Sequence, residues 1–193
     1  ANAAGLLLIK AGRFDEGRTR FRDAIEQNPR QASYWANLGR AQLAARDPSA
    51  ARESFTNAVR LQPEWLDANI AAIRLSLQMG DRASARQLTD ALSKRVADHP
   101  IVALLEGEVA LAEGRAEKAA SAFGRSYALR PSALAATREH QARVASRSVR
   151  AEQPLLNWLA HRPSDTAVRR QLADYYLTRG NEKEATEQFE LLL

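Results

Sequence analysis

Apolar residues recur at intervals of three and four along most of the chain, and short polar or glycine-containing stretches interrupt them. This spacing is typical of amphipathic α-helices of about 12–14 residues. We find no convincing alternating, β-branched runs that would indicate strands. The pattern therefore predicts an all-α protein of helices joined by short turns.

A longer period of 34 residues is superimposed on this pattern. Residues of one type return at this period: Gly5, Gly39 and Gly107; Phe21, Phe55 and Phe123; Pro29, Pro63 and Pro131; the small residues Gly17, Ala51, Ala85 and Ala119; and the turn residues Gly12, Arg46, Gly80 and Gly114. Ile73 interrupts the glycine series and Thr89 interrupts the phenylalanine series. Several series that share one period indicate an internal repeat.

These recurring residues suit a repeated pair of helices. Small residues such as Gly39 and Ala51 allow two helices to approach closely, and Phe55 fills the space between pairs. Gly80 can adopt the left-handed conformation that ends a helix, and Pro63 follows a helix that it cannot continue.

The chain resembles the tetratricopeptide repeat family most clearly in Trp35-x-x-Leu38-Gly39, followed by Ala51-x-x-x-Phe55-x-x-Ala58 and Pro63. Gln42 stands where the family usually has an aromatic residue. The resemblance covers essentially the whole chain and implies a right-handed superhelical α-solenoid of stacked antiparallel helix pairs. It implies a single solenoid with about six units, the first and last incomplete, at residues 1–31, 32–65, 66–99, 100–133, 134–165 and 166–193.

The unit at 134–165 is the least regular. His140 and Gln141 replace its Leu-Gly pair. The unit at 66–99 also departs from the pattern, with Asn69 where the unit at 32–65 has Trp35. Counted back from its final proline, the unit is two residues short, and we expect the loss at the turn near 146–149. Pro154 must lie in the first turn of its helix or kink it.

Neither end of the sequence resembles a polar cap, which a repeat array needs because each unit buries its neighbour's apolar face. Ala1 falls inside a first helix, and Leu191-Leu192-Leu193 falls inside a last one. We therefore expect a segment of a longer array, and end-to-end self-association is the alternative.

The formal net charge of +5 raises the question of a nucleic-acid or membrane partner. The arginines are spread along the chain among 23 acidic residues, which favours solvated helix faces. The apolar run at residues 6–9 is too short for a membrane span. We expect no nucleic-acid partner and no direct membrane span in this segment.

The sequence offers no motif for catalysis. His99, His140 and His161 lie in different units, and no HExxH, GxSxG, P-loop or GxGxxG motif occurs. The absence of cysteine excludes disulfides and thiolate metal sites. We expect no enzyme activity, no cofactor and no metal.

The resemblance implies that first helices line a concave surface that holds a peptide or partner helix. The residues implied for this surface are Asn37, Arg40, Ile70, Arg74, Leu77, Leu104, Glu108, Leu111 and Arg138, with Arg170 and Asp174 continuing it. The apolar members beside Arg40 and Arg74 favour an amphipathic segment whose acidic residues pair with arginine. The alternative is that these apolar residues pack against neighbouring helices.

Two specific functions of the family do not fit this surface. Co-chaperones that grip a C-terminal carboxylate need a set of Lys, Asn and Arg over three units, of which only Asn37 matches. Sugar-transferase arrays use a ladder of Asn. The equivalent positions here are Asn37, Ala71, Leu105, Glu139 and Gln171.

The stretch 158–193 resembles units of long arrays in bacterial envelope proteins of exopolysaccharide secretion. The resemblance implies a non-catalytic periplasmic scaffold that binds a partner protein or peptide. One alternative is a cytoplasmic adaptor or regulator that binds a signalling peptide, and another is an array attached to an enzyme domain outside this sequence. Nucleic-acid binding is a fourth, and steep salt dependence would reveal it.

Overall fold

The computed structural model describes residues 1–192, so Leu193 of the predicted last unit lies outside the described residues. The described residues form twelve α-helices and no strand. The helices are α1 (Asn2–Lys10), α2 (Phe14–Gln27), α3 (Ala32–Ala44), α4 (Pro48–Leu61), α5 (Leu66–Gln78), α6 (Arg82–Arg95), α7 (Pro100–Ala112), α8 (Ala116–Leu129), α9 (Ala133–Ala145), α10 (Gln153–His161), α11 (Thr166–Thr178) and α12 (Glu182–Glu190). The predicted all-α fold of helix pairs is confirmed.

The chain divides into two compact parts, Ala1–Ala97 and Asp98–Leu193. We call them the N-terminal half, with α1 to α6, and the C-terminal half, with α7 to α12. Within each half, every helix packs against the next one along the chain, so that three helix pairs stack in sequence. The continuation of one array through both halves stays a prediction.

Left-handed residues end the first helix of every pair. They are Gly12, Arg46, Gly80, Gly114, Arg147 and Gly180, with φ between 55° and 76°. At the end of α3, the Asp47 amide donates to the Gln42 carbonyl at 2.9 Å, which satisfies a free carbonyl of the helix end. Arg46 adopts this conformation at a cost of about 1 kcal/mol, because its Cβ crowds the backbone.

Close approach within a pair depends on a glycine that faces an aromatic ring. A Cβ added at Gly39 would lie 2.8 Å from the Phe55 ring, and Gly5 and Gly107 face Phe21 and Phe123 in the same way. The phenylalanine rings are fully buried. Only a residue without a side chain leaves room for them.

The two interruptions in the repeat occupy this same pair of positions. Ile73 and Thr89 are 16 residues apart, as Gly39 and Phe55 are. Both are buried, with the large residue now on the first helix and the small one on the second. The exchange keeps the space between α5 and α6 filled, since cores respond to total volume.

One hydrogen bond recurs in three of the repeats, and a different residue type donates it in each. Trp35 Nε1 donates to the Pro29 carbonyl at 2.9 Å. Asn69 Nδ2 donates to the Pro63 carbonyl at 2.9 Å. Arg169 Nη2 donates to the Pro163 carbonyl at 2.5 Å. Each donor therefore satisfies a proline carbonyl six residues earlier, so Asn69 replaces the tryptophan without loss of the bond.

The α9–α10 pair corrects the predicted place of the two-residue loss. One residue is missing from the α8–α9 linker, 130–132, where the linker before α5, 62–65, has four residues. The other is lost within the pair. The seven-residue connection 146–152 and the nine residues of α10 together are one residue shorter than the three-residue connection 45–47 and the fourteen residues of α4. Pro154 lies in the first turn of α10, as predicted.

His140 is a buried residue that contacts the long connection before α10. With the one-residue shift, it stands where α7 has Gly107, and it is only 5% exposed. Its Nδ1 lies 2.8 Å from the Ala151 carbonyl, and its ring meets that of Tyr175 edge-on at 4.9 Å. The imidazole occupies the position where α7 has glycine, and its contact with the Ala151 carbonyl ties α9 to the long connection that precedes α10.

Candidate functional site

Asn37 connects two first helices of the N-terminal half. Its Nδ2 donates to Oδ1 of Asn2 on α1 at 3.0 Å, and its Oδ1 accepts from Nη1 of Arg40 at 3.1 Å. Asn37 is half-buried and Arg40 is exposed. Asn37 therefore orients Arg40 towards solvent, and Asn2 is a member of the site that the sequence did not single out.

The first helices of the N-terminal half present a basic surface with apolar residues. On α5, Ile70 and Leu77 are half-buried and Arg74 between them is exposed. The charged residues of α1, α3 and α5 are Lys10, Arg40, Arg74 and the single acid Asp67. We call Arg40, Ile70, Arg74 and Leu77 the basic surface. Its assignment as a binding site stays a prediction.

In the C-terminal half, the structure corrects the prediction for Leu104. This side chain is 3% exposed and packs in a core cluster with Phe123 of α8 and Ala142 of α9. It is therefore a core residue that no partner can reach. Leu111, two turns further along α7, is half-buried against the same cluster, and Glu108 is half-buried between them.

Arg138 lies one place off its predicted position. Because α9 begins at Ala133, Thr137 is the residue equivalent to Leu104. Arg138 is half-buried, and its Nη1 donates to Oε1 of Gln141 at 3.2 Å. On α11, Arg170 and Asp174 are both exposed.

Two exposed apolar residues are not among those that the sequence implied for the concave surface. Val144 at the end of α9 is 44% exposed, and Leu177 at the end of α11 is 50% exposed. Together with Leu111 they recur every 33 residues. This 33-residue interval is the signal that could have identified them, because a 34-residue period does not connect these positions.

A cleft of about 480 Å³ lies between α8, α9 and the α9–α10 connection. Its lining includes the buried Glu139, paired with Arg143 at 2.7 Å, and the small residues Ala120 and Ser148. In the N-terminal half the equivalents of Ala120 and Ser148 are Arg52 and Asp81, which form an ion pair at 3.5 Å. Ala120 and Ser148 have no such ion pair to bridge the two elements, so the cleft stays open.

The pKa of one residue in the Arg52–Asp81 ion pair and the pKa of one residue beside the cleft are shifted from their ordinary values. Hydrogen bonds from the backbone and hydroxyl of Ser84 hold the pKa of Asp81 below its ordinary value, and Arg52 adds to this effect. Beside the cleft, burial raises the pKa of Tyr127, and the charge of Glu139 raises it further. These shifts keep Asp81 charged and Tyr127 neutral near neutral pH.

Residues 1–192 contain no group of three or more His, Cys, Asp or Glu side chains placed to hold a metal ion. Among the same residues, no helix combines the length and apolar character that crossing a membrane requires.

Two tetratricopeptide repeat models match the chain, at residues 2–64 and 42–108. Together they cover residues 2–108, which is more than half of the sequence. The chain belongs to the tetratricopeptide repeat family. No curated protein matches this tetratricopeptide repeat chain significantly.

Solved structures of other tetratricopeptide repeat proteins share the fold at low sequence identity. The C-terminal part of such a protein from Cytophaga hutchinsonii has a TM-score of 0.79 at 15% identity, covering 100% of this chain and 81% of that one. A protein from Parabacteroides merdae has a TM-score of 0.77 at 16% identity, covering 97% and 75%. YrrB, described as having an unusual peptide-binding site, has a TM-score of 0.65 at 14% identity, covering 89% and 90%.

The tetratricopeptide repeat fold supports a role as a protein–protein interaction scaffold. Proteins of this family are typically scaffolds without catalytic activity. The fold does not by itself identify the partner, so the partner's chemistry has to be inferred from the exposed residues.

Proposed function

We propose that this chain is a non-catalytic scaffold that binds an acidic amphipathic segment of a partner protein on the basic surface. One observation carries the proposal. The first helices of the N-terminal half contain three cations and one acid, and Arg74 stands between the apolar side chains of Ile70 and Leu77.

Two kinds of contact would contribute to binding, ion pairs and apolar contacts. Exposed ion pairs contribute only about 0–1 kcal/mol each, so Arg40 and Arg74 select an acidic partner more than they hold it. Ile70 and Leu77 would supply affinity by covering apolar side chains of the segment. The hydrogen bond from Arg40 to Asn37 reduces the freedom that Arg40 loses on binding.

The test is affinity capture from separate periplasmic and cytosolic fractions, followed by mass spectrometry. Arg40→Glu combined with Arg74→Glu should abolish capture of the partner without loss of helicity. Arg22→Glu combined with Arg82→Glu makes the same charge change on exposed positions of the second helices α2 and α6. Equal loss in both double variants, or in neither, would contradict the proposed surface.

We also propose a periplasmic location and a role in exopolysaccharide export. The support is the resemblance of the stretch 158–193 to units of envelope arrays. A partner found only in the periplasmic fraction is the expected result. A partner found only in the cytosolic fraction would overturn this location and favour a cytoplasmic adaptor.

A further inference from the structure

The cleft between α8, α9 and the α9–α10 connection contains a buried acid with one unpaired oxygen. The side chain of this acid, Glu139, is only 10% exposed. Nε and Nη2 of Arg143 both bind its Oε1, at 2.9 Å and 2.7 Å. Among residues 1–192, no group donates a hydrogen bond to its Oε2. Because buried polar groups are almost always hydrogen-bonded, this oxygen is available to a ligand in the cleft.

Gly124 of α8 leaves the Glu139 carboxylate uncovered. A Cβ added at Gly124 would lie 3.4 Å from Oε1 of Glu139 and 3.5 Å from its Oε2. Both residues line the cleft. The equivalent residues of the second helices α2, α4 and α6 all have side chains: Arg22, Thr56 and Asp90. A side chain of that size at position 124 would cover the carboxylate, whereas glycine leaves it open to the cleft.

The cleft also lacks an arginine that recurs in the earlier second helices. Ala120 of α8 lines the cleft. The equivalent residues of α2, α4 and α6 are all arginine: Arg18, Arg52 and Arg86. Arg18 pairs with Asp15, and Arg52 pairs with Asp81 at 3.5 Å. The surface of α8 therefore has no guanidinium group at the position where three other second helices provide one.

The charges that line the cleft favour a cationic ligand. The lining contains two carboxylates, of Glu117 and Glu139, and Arg143 is its one cation among the described residues. Arg125, next to Gly124 in the sequence, pairs with Glu106 and does not line the cleft. The lining therefore has a net charge of −1, which one guanidinium group would neutralise.

We propose that this cleft binds a guanidinium group, from an arginine side chain of a partner or from a free guanidinium compound. The group would occupy the space beside Ala120. Its five N–H donors form a planar fork, so it can donate to Oε2 of Glu139, to Glu117 and to the hydroxyls of Ser121 and Ser148 together. The volume of about 480 Å³ lies within the usual range of small-ligand sites. No residue of the basic surface lines the cleft, so the site does not rest on the proposed function.

The test is a titration with ethylguanidinium, followed by nuclear magnetic resonance of the backbone amides. Ethylurea, an uncharged molecule of nearly the same shape, is the matched control. Ethylguanidinium should shift the amides of Gly124, Ser148 and Val149 and should bind at least about tenfold more tightly than ethylurea. A capped peptide with one arginine between alanines distinguishes the two sources. Shifts of the same amides would show that a partner's side chain reaches the site, and a peptide that does not bind would identify a free compound as the ligand.

Substitutions in the cleft test which residues carry the binding. Ala120→Arg places a guanidinium group in the cleft from α8 and should weaken ethylguanidinium binding by at least about tenfold. Ala128→Arg adds the same charge at an exposed position of α8 outside the lining and should not weaken it. Glu139→Gln, with helicity checked by circular dichroism, should also weaken binding by at least about tenfold. Equal binding of ethylurea, no amide shifts with ethylguanidinium, or equal effects of the two arginine substitutions would overturn the proposal.

Discussion

The α3–α4 and α9–α10 pairs show two outcomes of one repeat. In α3–α4, Gly39 admits the Phe55 ring, a three-residue turn follows α3, and α4 forms fourteen residues. In α9–α10, His140 fills that space, seven residues separate the helices, and α10 forms nine residues. Both second helices nevertheless bury an apolar face.

The difference teaches that a large residue at this position of the first helix requires a matching change elsewhere in the pair. In α3–α4 the Asp47 side chain accepts from the Ala50 amide at 3.1 Å and caps α4 at once. In α9–α10 the Ala151 carbonyl bonds to His140 instead of joining a helix that starts earlier. The α5–α6 pair is a third case, in which a large residue on the first helix is matched by a small one on the second.

The largest expected effect tests that third case. Ile73→Gly should destabilise the protein by about 4 kcal/mol, because it leaves a cavity against Thr89. Adding Thr89→Phe recreates the Gly–Phe arrangement of α3–α4 and should recover about 2 kcal/mol. Urea denaturation followed by circular dichroism measures both. If the second substitution lowers stability further, the two positions do not share one space.

A smaller loss of stability is expected when a side chain is added where α3 and α4 approach each other most closely. Gly39→Ala should cost about 2 kcal/mol, because the new Cβ would lie 2.8 Å from the buried Phe55 ring. Gly124→Ala is the matched control, since its Cβ would lie 3.4 Å from the Glu139 carboxylate, which is close to ordinary contact. The control should be neutral or stabilising. Equal losses in the two variants would contradict the ring as the cause, since alanine has the higher helix propensity and propensity cannot account for a loss.

The left-handed arginines provide a stabilising change in each pair. Arg46→Gly and Arg147→Gly should each raise stability by up to about 1 kcal/mol, because glycine adopts a positive φ without strain. The reverse change, Gly114→Arg, should lower it by a similar amount. Midpoints of thermal unfolding would show both directions. No gain from either arginine would mean that its side chain makes compensating contacts.

The smallest effect is the pH dependence contributed by His140. Burial lowers the pKa of this imidazole, and its bond to Ala151 and the charge of Glu152 only partly oppose the shift. The unfolded state therefore takes up a proton first, so stability is complete above about pH 6.5 and falls as pH drops from there through the lowered folded pKa. His140→Phe should flatten the profile between pH 7 and pH 5 relative to the wild type. A profile that stays as steep in His140→Phe as in the wild type would contradict this assignment.

Several features of the fold follow from local sequence. The apolar period predicts helices, and the recurrent glycines predict the turns at Gly12, Gly80 and Gly114, because left-handed backbone strongly favours glycine. Arg147 lacks that signal, so the turn near 146–149 is predicted only from its place in the repeat, and the two-residue loss is misplaced there. The apparent interruptions at Ile73 and Asn69 preserve a packed volume and a hydrogen bond that only the neighbouring helices reveal.

The candidate sites separate what the sequence determined from what tertiary structure decided. The sequence by itself determined the helical pairs, the positions of Arg40 and Arg74 on first helices, and the apolar character of Leu104 and Leu111. It could not determine which leucine is accessible, because the two lie on one face of α7, two turns apart. Only packing decided that Leu104 is buried against Phe123 and Ala142 while Leu111 stays half-exposed, since burial depends on side chains that other helices contribute.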